Sequence, residues 1–162
     1  MAAIVIDGYN LIGIQHRDIE AARGRLVREL ISYRTHRGHD ITVVFDGWRD
    51  GGRDEHREVH SGVVVIYSPI AEKADTLIKR LISRSTEPLI VITTDRDIQA
   101  YAWANGAVAV DSEVFERRMN MGRQPTAGDK DDEDEDTPAQ RGGNAYKPSK
   151  KQRSLDRAIQ KL

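Results

Sequence analysis

Short hydrophobic runs alternate, over the first 120 positions, with longer segments in which apolar residues recur every three or four positions. The short runs are nearly all apolar, the pattern of strands buried on both faces, and they occupy residues 2–6, 41–45, 63–67, 89–93 and 107–110. The periodic segments predict helices at residues 18–37, 72–84, 97–105 and 111–119. This alternation predicts an α/β three-layer sandwich, in which a five-stranded parallel sheet is covered by helices on both faces.

A polar, glycine-containing segment, residues 48–61, separates the second and third predicted strands, and we expect it to form an exposed loop. Its stretch HREVH, residues 56–60, imitates a zinc-binding pattern of metalloproteases, but Arg57 stands where the catalytic glutamate belongs. We therefore interpret this stretch as solvated surface.

Charge is divided unevenly along the chain, although the net charge is −1. Residues 129–136 contain seven acidic residues and one lysine, whereas residues 137–162 contain seven basic residues and one aspartate. A segment with so few large apolar residues cannot bury enough surface to offset the entropy of ordering. We therefore predict a domain at residues 1–120 and a disordered, acidic-then-basic tail at residues 121–162.

The end of this tail has a different pattern, because Leu155, Ile159 and Leu162 stand at helical spacing among basic residues. This spacing predicts a short terminal helix that forms on a partner, since so short a helix is marginal in water. Three interpretations of the charged tail stay open at this point: the basic block folds back on the acidic block, it contacts a nucleic acid, or it is only solvated.

Composition excludes several classes of protein. The chain has no cysteine, which excludes disulfides, thiolate nucleophiles and cysteine-ligated metal centres. No apolar run reaches the roughly 18 residues that a membrane span needs, and the opening MAAIVID lacks the basic start of a secretory signal. These features predict a cytoplasmic protein with no membrane partner.

Acidic residues recur where the predicted strands end. Asp7, Asp46 and Asp95 each follow a strand, and Asp75 lies near the start of the helix after the third strand. Because the carboxyl ends of parallel strands share one edge, these carboxylates would meet there and would repel each other without a cation. Oxygen ligands without cysteine favour Mg²⁺ or Mn²⁺, and such a site suits hydrolysis of a phosphodiester.

Each of these acids also has an ordinary interpretation, since an aspartate after a strand is often a turn former or a helix cap. For Asp111, which follows the fifth strand, we prefer the cap. Other α/β chemistries lack their signatures, because the first strand is followed by DGYNLIG without the dinucleotide-binding glycines and no phosphate-binding loop with its lysine is present.

Four segments carry a more specific signal: IVIDGYNLIG at residues 4–13, VVFDG at 43–47, EKADTLIKRLI at 72–82 and VITTDRDIQAYAWANGA at 91–107. Together they resemble the YacP-like family of NYN domains, a subgroup of the PIN-like nucleases that includes ribosome-dependent messenger-RNA endoribonucleases of bacteria. The resemblance covers residues 3–119, leaves out the charged tail, and implies the sheet order 3-2-1-4-5.

The resemblance implies a role for each matching residue. Asp7, Asp75 and Asp95 would be the catalytic metal ligands, and Asp46 would be an additional acid of the site. Asn10 of the DGYN motif would help to order this site. In supporting roles, Thr94 would orient a ligand and Asp97 would lie close enough to contribute.

The resemblance also implies that the loop after the second strand faces the substrate. Arg49, Arg53 and Arg57 would contact phosphates, and Trp48 would stack on a base. The alternative is a plain solvated loop, because acidic residues in the same segment cancel the arginines.

These expectations combine in an endoribonuclease that uses Mg²⁺ or Mn²⁺ to activate water for in-line attack on single-stranded RNA. Its expected partners are messenger RNA and the ribosome. The alternative is a non-catalytic RNA- or ribosome-binding module of the same fold, although the intact acids favour the enzyme. The DGYN motif disfavours a third interpretation, a toxin-like nuclease with an antitoxin. The oligomeric state and the number of metal ions stay open.

Overall fold

The computed structural model describes residues 2–13, 18–47, 52–121 and 149–162. Trp48, Arg49 and most of the predicted tail, residues 122–148, lie outside the described residues. The elements within the described ranges are, in chain order, β1 (Ala3–Asp7), α1 (Gly8–Ile12), α2 (Ile19–Arg37), β2 (Asp40–Phe45), β3 (His56–His60), β4 (Val63–Tyr67), α3 (Ala74–Arg84), β5 (Leu89–Ile92), α4 (Arg96–Ala104), β6 (Val108–Val110), α5 (Ser112–Met121) and α6 (Lys150–Lys161).

One sheet forms the centre of the molecule, with the strand order β3-β4-β2-β1-β5-β6. The pairs β4–β2, β2–β1, β1–β5 and β5–β6 are parallel. These five parallel strands are the five predicted ones, and their order is the order that the family resemblance implies. The predicted fold class is therefore confirmed.

The sixth strand corrects the prediction of a loop at residues 48–61. Residues 56–60 form β3, an edge strand that runs antiparallel to β4. Ser61 and Gly62 connect the two strands with positive φ angles of 48° and 86°, as a tight two-residue hairpin turn requires. An edge strand can be polar because its backbone bonds to one neighbour and its side chains face solvent, so hydrophobicity did not indicate this strand.

Helices cover both faces of the sheet and create two hydrophobic cores. On one face, Leu30 of α2, Phe115 of α5 and Leu162 at the end of α6 are fully buried against the strands. On the other face, Leu77 of α3 and Ile98 of α4 are buried in the same way. The long predicted helix is confirmed as α2. The side chain of Asp18 caps its N-terminus, and Gly38, in the left-handed conformation, ends it.

Helix α6 packs on its own chain and not on a partner, which corrects that part of the prediction for the terminal helix. Ala158 and Leu162 are buried, and the Tyr33 hydroxyl of α2 donates a hydrogen bond to the Leu162 carbonyl. No helix in the described ranges is long and apolar enough to cross a membrane.

Candidate active site

Four aspartates lie at the carboxyl edge of the parallel strands. Asp7 is the last residue of β1, and Asp46 directly follows β2. Asp75 is in the first turn of α3, and Asp95 is the N-cap residue of α4 after β5. The topology thus brings acids from four separate segments to one edge, as the sequence predicts.

The carboxyl group of Asp7 is largely removed from water. Burial raises the pKa of its carboxyl group from 3.8 to about 6, although hydrogen bonds from the Asn10 backbone and the Thr93 hydroxyl act in the opposite direction. The negative charges of Asp95 and Asp75 raise this pKa further, so both lie within electrostatic reach of Asp7. These three residues form the acidic centre of the site.

Thr93, which follows β5 and is fully buried, links two of the three acids. Its hydroxyl donates to Asp7 Oδ2 at 3.3 Å and accepts from the backbone N–H of Asp95 at 3.1 Å. The Gln99 side chain holds the Thr93 carbonyl at 2.8 Å. A single hydroxyl therefore fixes the spacing between the end of β1 and the start of α4.

Asp95 caps helix α4 with one carboxylate oxygen, and its other oxygen is available to a ligand. Its Oδ1 accepts from the backbone N–H groups of Asp97 at 2.8 Å and Ile98 at 3.2 Å, which caps α4. Within the described part of the chain, Asp95 Oδ2 and the Asp75 carboxylate accept no hydrogen bond. Asp46 Oδ2 lies 3.5 Å from the backbone N–H of Ala74 and so supports the start of α3, beside Asp75.

Asn10 holds three segments together at the rim of the site. Its Oδ1 accepts from the Thr94 backbone N–H at 2.9 Å and from the Ser112 hydroxyl at 2.5 Å, and its Nδ2 donates to the Thr94 hydroxyl at 2.8 Å. The structure thus places Thr94 against Asn10, whereas the hydroxyl that contacts an acid belongs to Thr93.

The glycine of the DGYN segment allows close packing under Asp7. A Cβ atom at Gly8 would lie 2.4 Å from Cε1 of Phe45, a buried ring of β2 that also packs on Tyr9 at a centroid distance of 5.2 Å. Only glycine accommodates this approach without displacing the ring, so Gly8 lets β1 turn into α1 directly after the acid.

Lys79 places a positive charge beside the aspartates of this edge. Lys79 lies four residues after Asp75 in α3, and its Nζ pairs with Asp97 Oδ2 at 2.5 Å. The hydrogen bond to Asp97 raises the pKa of Lys79, and the charges of Asp75 and Asp95 act in the same direction. Asp97, whose side chain is 75% exposed, is therefore a partner of Lys79 in this structure.

Two of the predicted RNA-contacting residues lie in or just before β3, which is the edge strand beyond β4. Arg53 and Arg57 are both exposed, Arg57 in β3 and Arg53 in the segment before it. That segment is fixed by Arg80 of α3, which bonds both Glu55 at 2.9 Å and Glu72 at 2.8 Å. Trp48 and Arg49 are outside the described ranges.

Sequence reasoning missed three residues of this edge, namely Thr93, Ser112 and Lys79. Thr93 precedes the residue to which the family pattern gives the supporting role, and Ser112 follows Asp111, the predicted helix cap. The spacing of Lys79 from Asp75, four positions in a predicted helix, was a usable signal because such residues share a face.

The acidic edge contains residues that could bind a metal ion, but their side chains are not arranged as a complete set of ligands. Among the described residues, no three His, Cys, Asp or Glu side chains are already grouped closely enough for a metal ion. The donors available are the carboxylate oxygens of Asp7, Asp75 and Asp95, hard ligands of the kind that Mg²⁺ and Mn²⁺ prefer.

Comparison with known proteins identifies the family. Residues 4–159 match the YacP-like NYN domain family, which is nearly the whole chain. The chain belongs to this family. Because the match extends to residue 159, it includes α6, which the resemblance seen in the sequence did not cover.

Solved structures agree with this assignment. The structure of this chain is similar to a crystal structure of Rae1 (YacP) from Bacillus subtilis. The two share 25% sequence identity, with a TM-score of 0.62 and coverage of 75% of each chain. A point mutant of the same protein matches with 25% identity, a TM-score of 0.59 and coverage of 74% of each chain. No curated protein matches the chain. Membership of the NYN family implies a nuclease of the ribonuclease type.

Proposed function

We propose that this protein is a metal-dependent endoribonuclease that hydrolyses single-stranded RNA at the carboxyl edge of its sheet. The observation that carries the proposal is the approach of Asp7, Asp75 and Asp95, from three separate segments, in a chain of a nuclease family. Messenger RNA in the context of the ribosome is the substrate that we propose, following the family resemblance.

The chemistry of the donor set fits a divalent cation. Burial raises the pKa of Asp7 to about 6 and two neighbouring carboxylates act in the same direction, so a cation bound beside Asp7 would stabilise its ionised form. Asp75 and Asp95 Oδ2 have no competing hydrogen-bond donor among the described residues, so they are available as ligands.

The protein's own groups prepare this edge for the reaction. Thr93 holds Asp7 and the start of α4 in register, and Asn10 holds the loop that leads into α4. A bound divalent cation supplies charge stabilisation for the phosphoryl group and lowers the pKa of a water nucleophile. Asp46 supports the start of α3, which carries Asp75.

RNA would approach this edge past β3 and the segment before it. In our proposal Arg53 and Arg57, together with Arg49 and Trp48, contact a part of the substrate that lies on the β3 side of the acidic centre. Exposed arginines attract phosphates, and an aromatic ring near them offers a surface on which an unpaired base can stack.

The test is cleavage of an end-labelled messenger RNA, with and without translating ribosomes, in Mg²⁺, Mn²⁺ or EDTA. We expect the wild-type protein to cut in either metal and not in EDTA, and Asp95→Asn to lose cutting. Asp40→Asn is the matched control, because this exposed acid lies at the opposite end of β2. No cutting by the folded wild-type protein under any condition would replace this proposal with the non-catalytic binding module.

A further inference from the structure

Helix α6 carries a strong excess of positive charge on one face. Its 12 residues include five lysines and arginines and one aspartate, and all five cations are exposed. Four of them stand at positions i, i+3, i+7 and i+11, which lie on one side of a helix, and they extend about 16 Å along it. This group, here called the α6 basic stripe, consists of Lys150, Arg153, Arg157 and Lys161.

The opposite side of α6 fixes the direction in which the stripe points. Leu155, Ala158, Ile159 and Leu162 pack into the core beside α2 and β6. Lys151 lies at the border, with its Nζ 5.0 Å from the centre of the Trp103 ring. Because the apolar side is occupied by the protein's own core, the stripe is held facing away from it.

The cations of the stripe are not held in ion pairs, although Glu87 lines the same cavity as Arg157 and Lys161. Among the described residues, none of the four forms an ion pair, and Asp156 of the same helix bonds the Gln152 side chain instead. Helix α3 behaves differently, because Lys79 and Arg80 both pair with carboxylates. Unpaired cations in a row are the electrostatic pattern of a surface that contacts phosphates.

The α6 basic stripe lies far from the acids. A cavity of about 260 Å³ separates α6 from the amino ends of β1 and β5, with Arg157 and Lys161 on one side and Ala2 and Leu89 on the other. Asp7 and Asp95 lie at the carboxyl ends of the same two strands. Phosphates bound to the stripe would therefore belong to a different part of the RNA from the one that is cut.

We infer that the α6 basic stripe is a second RNA-binding surface, which holds the phosphate backbone remote from the cleavage site. The inference rests on the proposed function only for the identity of the polyanion as RNA. An anionic membrane is the competing polyanion, but α6 has no free apolar face to insert into one, so the charge pattern favours RNA.

The test is the salt dependence of binding to a fluorescein-labelled single-stranded RNA long enough to reach both edges, in EDTA so that cleavage does not interfere. The variant Lys150→Gln/Arg153→Gln/Arg157→Gln keeps good helix formers in α6. If all three residues contact phosphates, the slope of log K against log salt becomes shallower by about 2, and affinity at low salt falls about tenfold or more.

The matched control is Arg25→Gln/Arg28→Gln/Arg37→Gln, which removes the same charge from three exposed positions of α2 and should leave the slope unchanged. An unchanged slope in the stripe variant, or an equal decrease in both triple variants, would overturn the inference. So would loss of binding to phosphatidylserine vesicles with the RNA slope intact, which would assign the stripe to a membrane. Thermal unfolding of each variant checks the fold.

This design separates the inference from the proposed function. A protein that binds RNA through the stripe but never cuts it contradicts the nuclease proposal alone. A protein that cuts RNA with an unaltered salt slope in the stripe variant contradicts the second binding surface alone.

Discussion

The two ends of the parallel strands carry side-chain charges of opposite sign. At the carboxyl end, Asp7, Asp75 and Asp95 gather negative charge, and burial together with the two neighbouring carboxylates raises the pKa of Asp7. Beyond the amino end, the α6 basic stripe gathers positive charge that forms no ion pair with a described carboxylate. Neither arrangement favours the stability of the isolated chain, since like charges repel. Together they suit ligands of opposite sign, a cation at one end and a phosphate backbone at the other.

The largest expected effect concerns the stability of the acidic end. The carboxyl group of folded Asp7 has a pKa of about 6, against 3.8 as its ordinary value. Between these values the folded chain keeps a proton that the unfolded chain has lost, so stability falls as the pH rises through this window. In EDTA at pH 7.5, Asp7→Asn should therefore raise the free energy of unfolding by up to about 3 kcal/mol.

Urea unfolding at a series of pH values measures this difference, which should disappear below about pH 3, where Asp7 is protonated in both the folded and the unfolded chain. Asp40→Asn serves as the control, because Asp40 is exposed and should not alter the pH profile. Equal stability of the Asp7→Asn variant and the wild type at pH 7.5 would show that the acidic end is not strained by charge.

Removing the Asn10 side chain tests whether cleavage at the acidic end depends on the hydrogen bonds that Asn10 makes there. Asn10→Ala leaves the Thr94 backbone N–H and the Ser112 hydroxyl without their acceptor. We expect cleavage to slow by about 100-fold, the effect of losing a group that orients metal ligands. Asn105→Ala is the control, since that amide only caps the end of α4 through the Tyr101 carbonyl. Similar rates for the two variants would contradict the role of Asn10.

Lys79 is a cation within the acidic end, so its substitution tests whether that end also attracts phosphates. If its ammonium attracts substrate phosphates, Lys79→Gln should raise KM for RNA by about three- to tenfold. Asp97→Asn should lower KM by about two- to threefold, since it removes a competing negative charge and releases the lysine. A pair that is merely structural would respond in the same direction to both substitutions, and steady-state kinetics distinguishes the two results.

The smallest expected effect concerns the attachment of α6. Tyr33→Phe removes the hydroxyl that donates to the Leu162 carbonyl, which should lower the free energy of unfolding by about 1 kcal/mol. Hydrogen exchange should become faster in α6 but not in the central strands. In Tyr101→Phe, the control, the lost hydroxyl has no hydrogen bond among the described residues. Unchanged exchange in α6 would mean that apolar packing alone holds the stripe in place.

Much of the fold could be predicted from the sequence because buried parallel strands are short, apolar and regularly interrupted. The same rule located Asp7, Asp46 and Asp95, since the residue after a buried strand lies at a defined edge. It could not locate β3, whose stability comes from backbone bonds to β4 and not from apolar side chains. It also placed α6 on a partner, because spacing shows that a helix has an apolar face but not what covers that face.

The contacts inside the candidate site were less predictable. Two threonines stand side by side after β5, and only the folded backbone decides that Thr93 points to Asp7 while Thr94 contacts Asn10. The joint role of Ser112 depends on a contact across 102 positions of the chain. Such long-range contacts leave no periodic pattern in a single sequence.

The most direct test of the central claim is Mn²⁺ binding, measured by titration calorimetry, together with RNA cleavage on the same protein samples. We expect the wild type and Asp40→Asn to bind Mn²⁺ and to cut RNA, and we expect Asp7→Asn and Asp75→Asn to lose both properties while remaining folded. Cleavage by the wild type in EDTA, or Mn²⁺-dependent cleavage at the wild-type rate in Asp7→Asn, would contradict a metal site at the carboxyl edge.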